Sequence, residues 1–433
     1  MNTKRPGGMT LSQSNLRTAQ LAQQTVQTFS GPEDLSGPLD WDVQVAPLPS
    51  SVGPAAPPQR LTVQVNGVAV SGCTVIDYLQ QVGPCRLRMG GVAGVSTHPE
   101  HRFKGYSKRV MFNSLRWMRQ AGYDVSMLFG IPGFYPRFGF APAFPEVRWR
   151  LAVRDAERLS CPQPLKFVDF DAQRHLSAVL AMYETNNAAA FGPLVRRAQS
   201  WQPFRRGRNW GLRAKVRVAL EGRRPAGYFV YDAEEPCRIV ELGYARPQAL
   251  PAILHAITQM ALAARVEEIQ FRLGEDHLAM RLCAPLGIIR RVRRRADGWE
   301  MARLMNVQTT LQKLSPLLAS RVSGQGRLIL RTNLDSVELS WRRGRMAVKP
   351  LAGSRPGGKI GVAGILPARG RDARDTSPVL RLPQWALAQL IFGFGDVEAL
   401  ALAGTLAGGP ATLGLAAEMF PPQRAYFHLV DEF

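Results

Sequence analysis

The chain has 433 residues, of which 45% are hydrophobic and 20% are charged, a composition typical of globular proteins. Its length excludes a single ordinary domain and predicts two to four packed units. The formal net charge of +22 favours an anionic partner such as a nucleic acid, an acidic surface or a polyphosphate cofactor, without choosing among them.

Residues 1–60 have the composition of a tail or linker, and the sequence leaves open whether they are partly disordered. They hold a polar, Gln-rich helical candidate at Leu11–Phe29 and a run rich in Pro, Ser and Ala at Pro47–Pro58. No stretch near the start combines a basic flank, an apolar middle and a small-residue cleavage site. We therefore expect a cytoplasmic protein.

Residues 61–150 form the first predicted unit. Apolar and polar residues alternate over Leu61–Val65, and Asn66-Gly67 is typical of a tight turn into a second strand. The pattern then predicts a strand at Gly91–Thr97, a helix at Gly105–Ala121 and a buried strand at Val125–Phe129.

A second unit, residues 151–305, repeats this order of elements more loosely. The pattern predicts strands at Val216–Leu220, Ala226–Tyr231 and Arg238–Ala245, a helix at Pro247–Arg265 and a strand at Glu268–Leu273. No Gly-rich turn separates Ala245 from its helix, so this copy is interpreted as degenerate. The run Arg290–Arg295 resembles a nucleic-acid patch, but an exposed edge strand is the simpler interpretation.

Residues 306–433 form the third predicted unit, with a helix at Thr309–Val322, three strands between 327 and 350, and helices from Pro383 onward. The segment 399–417 carries no charge, yet Gly408-Gly409-Pro410 interrupts it. We expect a buried helix pair there and no membrane partner.

Val95 to Ser107 is the segment with the clearest chemistry, because it predicts a strand that leads through a short turn into a helix. A helix start offers unpaired N–H groups and partial positive charge, which suit a diphosphate. Gly105 lets the backbone approach the phosphates, while Arg102 and Lys104 add charge pairing.

Arg102-x-x-Gly105-x-Ser107 resembles the acetyl-CoA signature R/Q-x-x-G-x-G/A of the GCN5-related N-acetyltransferases (GNAT). The flanking residues are similar to those of the enhanced intracellular survival (Eis) type of this superfamily. The resemblance rests on the stretches Gly94–Arg102, Leu128–Gly130 and Phe134–Phe140. It implies an α+β and α/β fold class: tandem GNAT-like folds with mixed central sheets flanked by helices, and a sterol carrier protein-like α+β domain at the C-terminus.

The resemblance also implies which residues bind the donor, acetyl-CoA. They are Val95, Ser96, Thr97, Arg102, Phe103, Lys104, Gly105, Tyr106 and Ser107. Backbone N–H groups of Val95 and Thr97 would hold the pantetheine and polarise the acetyl carbonyl. Phe103 and Ser107 depart from the family pattern, in which small residues are common. A further departure is that residues 1–60 lack a clear strand followed by two helices.

Amine acetylation needs an acid for the departing sulfur and a base for the amine. The resemblance implies Tyr135 as the acid and the carboxylate of Phe433, the last residue, as the base. Phe134 and Glu432 are candidate residues for binding the amine acceptor, a small molecule or a lysine. Members of the family form hexamers, so a homo-oligomer is expected.

Several alternatives stay open on the sequence alone. Tyr135 could be an aromatic residue packed in the core, and Phe433 could belong to a frayed terminus. The whole protein could be a degenerate GNAT homologue that binds coenzyme A without turnover, or a basic nucleic-acid-associated protein. The five cysteines contain no C-x-x-C and the histidines show no zinc-ligand spacing, so we assign no metal.

Overall fold

The alternation that begins at Leu61 forms a hairpin whose turn residues, Asn66 and Gly67, both have positive φ (52° and 78°). The computed structural model describes residues 35, 37–48, 57–161, 163–199, 201, 204, 213–351 and 378–433. The helix predicted at Leu11–Phe29 lies outside the described residues, as does most of the run Pro47–Pro58.

The first part of the chain forms strands around one long helix, which buries Val110, Met111, Leu115 and Met118 as its periodicity predicts. In chain order the elements are β1 (Val43–Pro47), β2 (Gln59–Val65), β3 (Val68–Val82), β4 (Cys85–Thr97), α1 (Tyr106–Gln120), β5 (Val125–Gly130) and β6 (Ala141–Pro142).

The middle of the chain contains the strand and helix order predicted for the second unit. Its elements are β7 (Glu146–Ala152), α2 (Val153–Ala156), β8 (Lys166–Asp169), α3 (Ala172–Asn187), β9 (Phe191–Leu194), β10 (Ala214–Glu221), β11 (Arg224–Asp232), β12 (Arg238–Tyr244), α4 (Leu250–Ala263), β13 (Glu268–Phe271), α5 (Leu278–Cys283), β14 (Ile289–Arg293) and β15 (Trp299–Leu304).

The last part of the chain also follows the predicted order. Its elements are α6 (Val307–Ala319), β16 (Gln325–Arg331), β17 (Ser336–Arg342), β18 (Arg345–Pro350), β19 (Val379–Arg381), α7 (Gln384–Phe392), α8 (Val397–Leu402) and α9 (Pro410–Met419). The segment 399–417 therefore forms a helix pair, although α8 and α9 each bury only one face. Among the described residues, no helix has both the length and the hydrophobicity to cross a membrane.

The strands form three sheets flanked by helices, which confirms the mixed α and β fold class, while the sterol carrier protein-like domain stays a prediction. The first has the order β1-β2-β3-β4-β5-β15-β6, with β9 paired to the far end of β3. The second has the order β14-β7-β13-β12-β11-β10-β8, and the third has the order β18-β17-β16-β19. All three sheets mix parallel and antiparallel pairs.

Sheet membership crosses two of the boundaries predicted from the sequence. β7 begins before residue 151, at Glu146, yet belongs to the second sheet, and β15 lies before residue 305 yet pairs with β5 in the first. The apolar side chains of β15 explain its place, because Met301, Ala302 and Leu304 are fully buried in the core of the first sheet.

Part of residues 1–60 lies in the first sheet, where the sequence predicts tail or linker. Val43–Pro47 pairs antiparallel with β2, and the preceding turn is held by ion pairs from Arg109 to Asp40 (2.9 Å) and Asp42 (2.8 Å). A five-residue strand is too short for its alternation to be distinguished from a linker pattern.

The C-terminal residues run between the first and second sheets. The Tyr426 backbone N–H donates to the carbonyl of Phe191 in β9 (2.9 Å), and the Tyr426 hydroxyl donates to the carbonyl of Arg272 beside the second sheet. Asp431 and Glu432 are both buried. The segment therefore carries Phe433 into the interior instead of fraying in solvent.

Candidate active site

The first sheet opens between β4 and β5. Their parallel pairing ends at Gly91 opposite Met127, although both strands continue. A β-bulge at Gly94, where φ is +57° and the β3–β4 register shifts, bends β4 away from its neighbour. Arg60 donates to the Gly94 carbonyl (3.2 Å) and fixes the bulge. We call the opening between Val92–Thr97 and Leu128–Gly130 the β4–β5 split.

The predicted donor residues form one edge of this split and the turn beyond it. Ser71 holds the end of β4 through hydrogen bonds to the Ser96 carbonyl and the Thr97 hydroxyl (both 2.9 Å). Because β4 has lost its β5 neighbour here, the backbone of Val95–Thr97 faces the split. Hydrogen-bonding groups of an extended ligand can pair with a free strand edge of this kind.

The turn ends at Gly105, which has φ +82° and caps α1. Nothing lies within 4 Å of a Cβ built on Gly105, so its left-handed backbone, rather than crowding, favours glycine there. Tyr106 and Ser107 begin the helix, so their N–H groups have no helical acceptor. Arg102 and Lys104 are exposed and form no ion pair within the described residues.

Phe103 is a large residue at a position of the turn whose left-handed backbone favours glycine. It has φ +61°, a left-handed backbone that costs a non-glycine residue roughly 1–2 kcal/mol, and its side chain is fully exposed. This is the position at which small residues are common in the family that the sequence resembles.

Tyr135 lies at the far end of β5, before the short helical turn Pro136–Phe138. Its ring packs edge-on against Phe134 (4.9 Å between centroids) and against Gly130, where a Cβ would come within 2.9 Å of Cδ2. The hydroxyl has no hydrogen-bond partner among the described residues. Burial raises the pKa of Tyr135 to about 12, so the phenol stays protonated at neutral pH.

Phe433 enters the split from the other direction. Its ring contacts Tyr78 and Phe129 (both 5.1 Å between centroids), and a Cβ on Gly91 would come within 2.7 Å of it. Gly91 and Gly130 thus make room for Phe433 and Tyr135 respectively, on neighbouring strands. Sequence reasoning singled out the two aromatic residues but neither of these glycines.

Two carboxyl groups lie beside this end of the chain. Glu432 is 5% exposed, and its Oε2 has no hydrogen-bond partner among the described residues. Burial, together with the nearby charge of Glu300, raises the pKa of Glu432 to about 8. Burial likewise raises the pKa of Glu300 to about 7, with the charge of Glu146 contributing. Glu300 was not predicted, because its place opposite Phe129 depends on the transfer of β15 to the first sheet.

These raised pKa values predict a dependence of stability on pH. A carboxyl that holds its proton more tightly when folded stabilises the fold fully below its unfolded pKa, near 4.5, and this stabilisation is lost as pH rises through 7 and 8. We expect the double variant Glu300→Gln/Glu432→Gln to gain on the order of 3 kcal/mol over the wild type on going from acidic to mildly alkaline pH.

Thermal melts of both proteins between about pH 5 and pH 8.5 test this expectation. The comparison cancels the opposite contribution of buried His428, whose pKa burial lowers to about 4. Parallel melting curves at every pH would contradict the assignment of raised pKa values to these two carboxyls.

A buried ion-pair network holds the terminal segment in place. The Arg196 guanidinium donates to both carboxylate oxygens of Glu241 (2.7 and 2.5 Å) and to Asp431 (2.9 Å). Tyr228 donates to Glu241 (2.7 Å), and Trp201 donates to Asp431 (3.1 Å). The side chains of the three charged residues are each only 1% exposed. The position of Phe433 therefore depends on the second sheet.

The arginine run of the second unit forms β14, an exposed edge strand, as predicted. Arg291 lies opposite Arg148 and Arg293 opposite Glu146 in the pairing with β7. These four side chains line a cavity of about 90 Å³. Whether an anionic partner binds at this patch stays open.

Comparison with known proteins finds a family whose domain covers the part of the chain that contains this site. A family model described as the acetyltransferase (GNAT) domain matches residues 57–143, which contain β2 to β5, the donor turn and Tyr135. Residues 57–143 therefore form a GNAT domain, the domain of GNAT-type acetyltransferases. Acetyl-CoA is the donor that GNAT acetyltransferases use. No curated protein matches the chain in sequence.

Solved structures share the fold over most of the chain. A conserved protein of unknown function from Enterococcus faecalis V583, a probable N-acyltransferase, has a TM-score of 0.66 at 16% identity and covers 87% of this chain and 89% of its own. A GCN5-related N-acetyltransferase from Kribbella flavida has a TM-score of 0.62 at 19% identity, covering 86% and 87%.

Eis1 from Mycobacterium abscessus has a TM-score of 0.58 at 17% identity and covers 86% of this chain and 90% of its own. At these identities the likeness concerns the fold. Together with the matched domain, it confirms the resemblance to Eis-like GNAT proteins that the sequence predicts.

Proposed function

We propose that this protein transfers the acetyl group of acetyl-CoA to a primary amine, on a small molecule or a lysine, at the β4–β5 split. The observation that carries the proposal is that Phe433 packs against Gly91 of β4 and Tyr135 packs against Gly130 of β5, the two strands that border the split. In this arrangement one opening would hold both the acid for the sulfur, Tyr135, and the base for the incoming amine, the Phe433 carboxylate.

In this proposal the donor lies along the free edge of β4. The backbone N–H groups of Val95 and Thr97 hold the pantetheine and polarise the acetyl carbonyl, with Ser96 between them. The diphosphate lies at the start of α1, where Arg102–Ser107 supply N–H groups, two cationic side chains and the helix dipole. The exposure of Ser96 and of residues 102–105 supports this role, while Val95, Thr97, Tyr106 and Ser107 are half-buried.

The chemistry balances with two groups of this chain. The acceptor nitrogen attacks the thioester carbon and forms the new C–N bond, and its proton passes to the Phe433 carboxylate. The C–S bond then breaks while Tyr135, as the acid, donates a strengthening hydrogen bond to the departing sulfur, and the thiolate takes its proton on release into solvent. The products are the acetylated amine and free coenzyme A, so no oxidant or reductant is needed.

The acceptor is proposed to enter beside Phe134 and Glu432. Above about pH 8, where Glu432 and Glu300 are both ionised, these carboxylates would attract a cationic amine, and Phe134 would pack against its carbon chain. The net charge of +22 opposes strongly cationic acceptors at long range, so selection depends on these local acids.

Release of free thiol from acetyl-CoA across a panel of primary amines tests the proposal. We expect amine-dependent thiol release together with acetylated product detected by mass spectrometry. A protein that binds coenzyme A yet never releases thiol with any amine would instead be the degenerate, non-catalytic homologue.

Replacing Arg102 with Glu is expected to weaken binding of coenzyme A at least tenfold. The substitution removes a charge-assisted partner of the diphosphate and places a carboxylate beside it. Isothermal titration measures the change, and Arg154→Glu, which alters an exposed arginine of α2, is the matched control. Equal affinity of the two variants for coenzyme A would contradict the proposal that this turn binds the diphosphate.

Removal of Phe433, or a short extension beyond it, is expected to lower kcat while leaving coenzyme A affinity within about twofold. The change moves or removes the proposed base, and a general base typically raises the rate by about 10²- to 10⁴-fold. Single-turnover measurements at saturating donor separate the two effects. Unchanged turnover in both variants would exclude the terminal carboxylate as the base.

The domain assignments extend the proposal to the rest of the chain. We propose a catalytic unit at 61–150, a second GNAT-like unit at 151–305 that has lost cofactor binding, and a sterol carrier protein-like unit at 306–433 whose ability to bind a lipid is open. The third unit is proposed to position the terminus against the catalytic unit. Contacts such as Gln384 Nε2 donating to the Gly139 carbonyl (2.6 Å) support this role. A cytoplasmic homo-oligomer, with the hexamer of the family as the expected form, completes the proposal.

Nucleic-acid association is a second candidate function, favoured by the exposed arginines of β14. Such binding should weaken steeply as salt concentration rises, because phosphate neutralisation releases counterions. Filter binding at low salt is the test. Absence of any retained nucleic acid would exclude this function.

A further inference from the structure

Three side chains with metal-ligating atoms lie together just before the donor turn. The ligand atoms of His98, Glu100 and His101 all lie within 4.8 Å of one another. The sequence shows no zinc-ligand spacing, but the segment Pro99–His101 forms a single 3-10 turn. Residues three apart eclipse one another in such a turn, which brings the two histidines to one face.

The turn is anchored rather than loose. The His98 N–H donates to the Val70 carbonyl (2.8 Å), and the His101 N–H donates to the His98 carbonyl (2.9 Å). The His101 ring also packs against Tyr106, the first residue of α1 (5.9 Å between centroids). The backbone that carries the three side chains is thus fixed at both ends.

His101 carries a buried ring nitrogen, Nδ1, without a hydrogen-bond partner among the described residues. A buried polar atom of this kind is uncommon and costs free energy unless water or an ion satisfies it. Glu100 is exposed and forms no ion pair within the described residues, so its carboxylate is available.

We propose that His98, Glu100 and His101 bind one Zn²⁺ ion. Two imidazoles and one carboxylate are a common zinc donor set that leaves a fourth position open, whereas Mg²⁺ and Ca²⁺ prefer oxygen ligands alone. Around tetrahedral zinc the ligand atoms lie about 3.3 Å apart, so small rotations of the exposed His98 and Glu100 side chains complete the site. Arg102 and Lys104 follow the site directly in the chain, and their positive charges lower its affinity for a cation.

This position links the ion to the donor, a step that rests on the proposed function. The site immediately precedes Arg102, and its His101 contacts the helix start proposed to hold the diphosphate. A divalent cation there adds positive charge beside the diphosphate, so Zn²⁺ and coenzyme A should each strengthen binding of the other. Pantetheine, which lacks the diphosphate, should bind equally well with and without Zn²⁺.

Titration of Zn²⁺ alone into the full chain without a histidine tag tests the site. We expect one ion per chain and a loss of affinity of at least about tenfold in His98→Ala, Glu100→Gln and His101→Ala, because even outer-shell substitutions cost 10- to 100-fold. His255→Ala, which removes an exposed histidine of α4, is the control and should bind like the wild type. No binding by the wild type, or equal binding by all four variants, overturns the site.

Repeating the titration of coenzyme A with and without Zn²⁺ tests the link separately. Severalfold tighter binding of coenzyme A, but not of pantetheine, supports it. If Zn²⁺ binds alone and coenzyme A affinity is unchanged, the link to the donor is wrong while the metal site stands. If Zn²⁺ binds and coenzyme A does not bind at all, the proposed function fails independently of the site.

Discussion

Replacing Tyr135 with Phe is expected to lower the rate of acetyl transfer by about 10²- to 10³-fold, with the affinity for acetyl-CoA nearly unchanged. The substitution removes only the hydroxyl and keeps the ring that packs against Phe134 and Gly130. The magnitude is that of one preorganised hydrogen-bond donor aimed at developing negative charge.

The pKa of Tyr135 limits how this group acts. At about 12 it exceeds the usual pKa of a thiol, near 8.5, so complete proton transfer to the sulfur before the C–S bond breaks is unfavourable. The phenol instead donates a hydrogen bond that strengthens as charge develops on the sulfur. We therefore expect the effect in kcat and not in donor binding.

Tyr231→Phe, which removes a hydroxyl from β11 of the second sheet, is the matched control and should retain wild-type kcat. Thiol release and equilibrium binding of acetyl-CoA are measured on both variants. If Tyr135→Phe retains kcat within about twofold, Tyr135 is only a packed aromatic residue, the alternative that the sequence leaves open.

The local parts of the site could be predicted from the sequence because their signals are local. The helix α1 repeats its apolar residues every three to four positions, and the donor turn carries Gly105 where the backbone becomes left-handed. The hairpin at Asn66-Gly67 and the edge strand β14 follow from turn chemistry and charge. In each case neighbouring residues determine the conformation.

The remaining parts depend on contacts between distant residues. β15 joins the first sheet after the chain has built most of the second, so the position of Glu300 opposite Phe129 has no local signal. The strand β1 is too short to show its alternation. Gly94 begins the stretch Gly94–Arg102 that resembles the Eis type. Its bulge and the resulting split, however, arise only from the pairing of β3 with β4.

The buried network around Arg196 also depends on long-range contacts, because Arg196, Glu241 and Asp431 come from three distant parts of the chain. Replacing Arg196 with Met is expected to destabilise the protein by about 3–5 kcal/mol. The substitution leaves two carboxylates, each in a side chain only 1% exposed, without their shared cation. Urea denaturation measures the loss, and Arg213→Met, which breaks an exposed pair with Glu234, should change stability by less than about 1 kcal/mol.

Measuring Asp431→Asn beside Arg196→Met separates stability from positioning. The neutral amide that replaces the Asp431 carboxylate leaves Arg196 paired with Glu241 and loosens only the terminal segment, so we expect a lower kcat with a smaller loss of stability. Because Phe433 lies two residues beyond Asp431 and against Gly91, its displacement should mimic removal of Phe433 without altering coenzyme A affinity. Wild-type kcat in a folded Asp431→Asn variant would mean that the network stabilises the fold without positioning the proposed base.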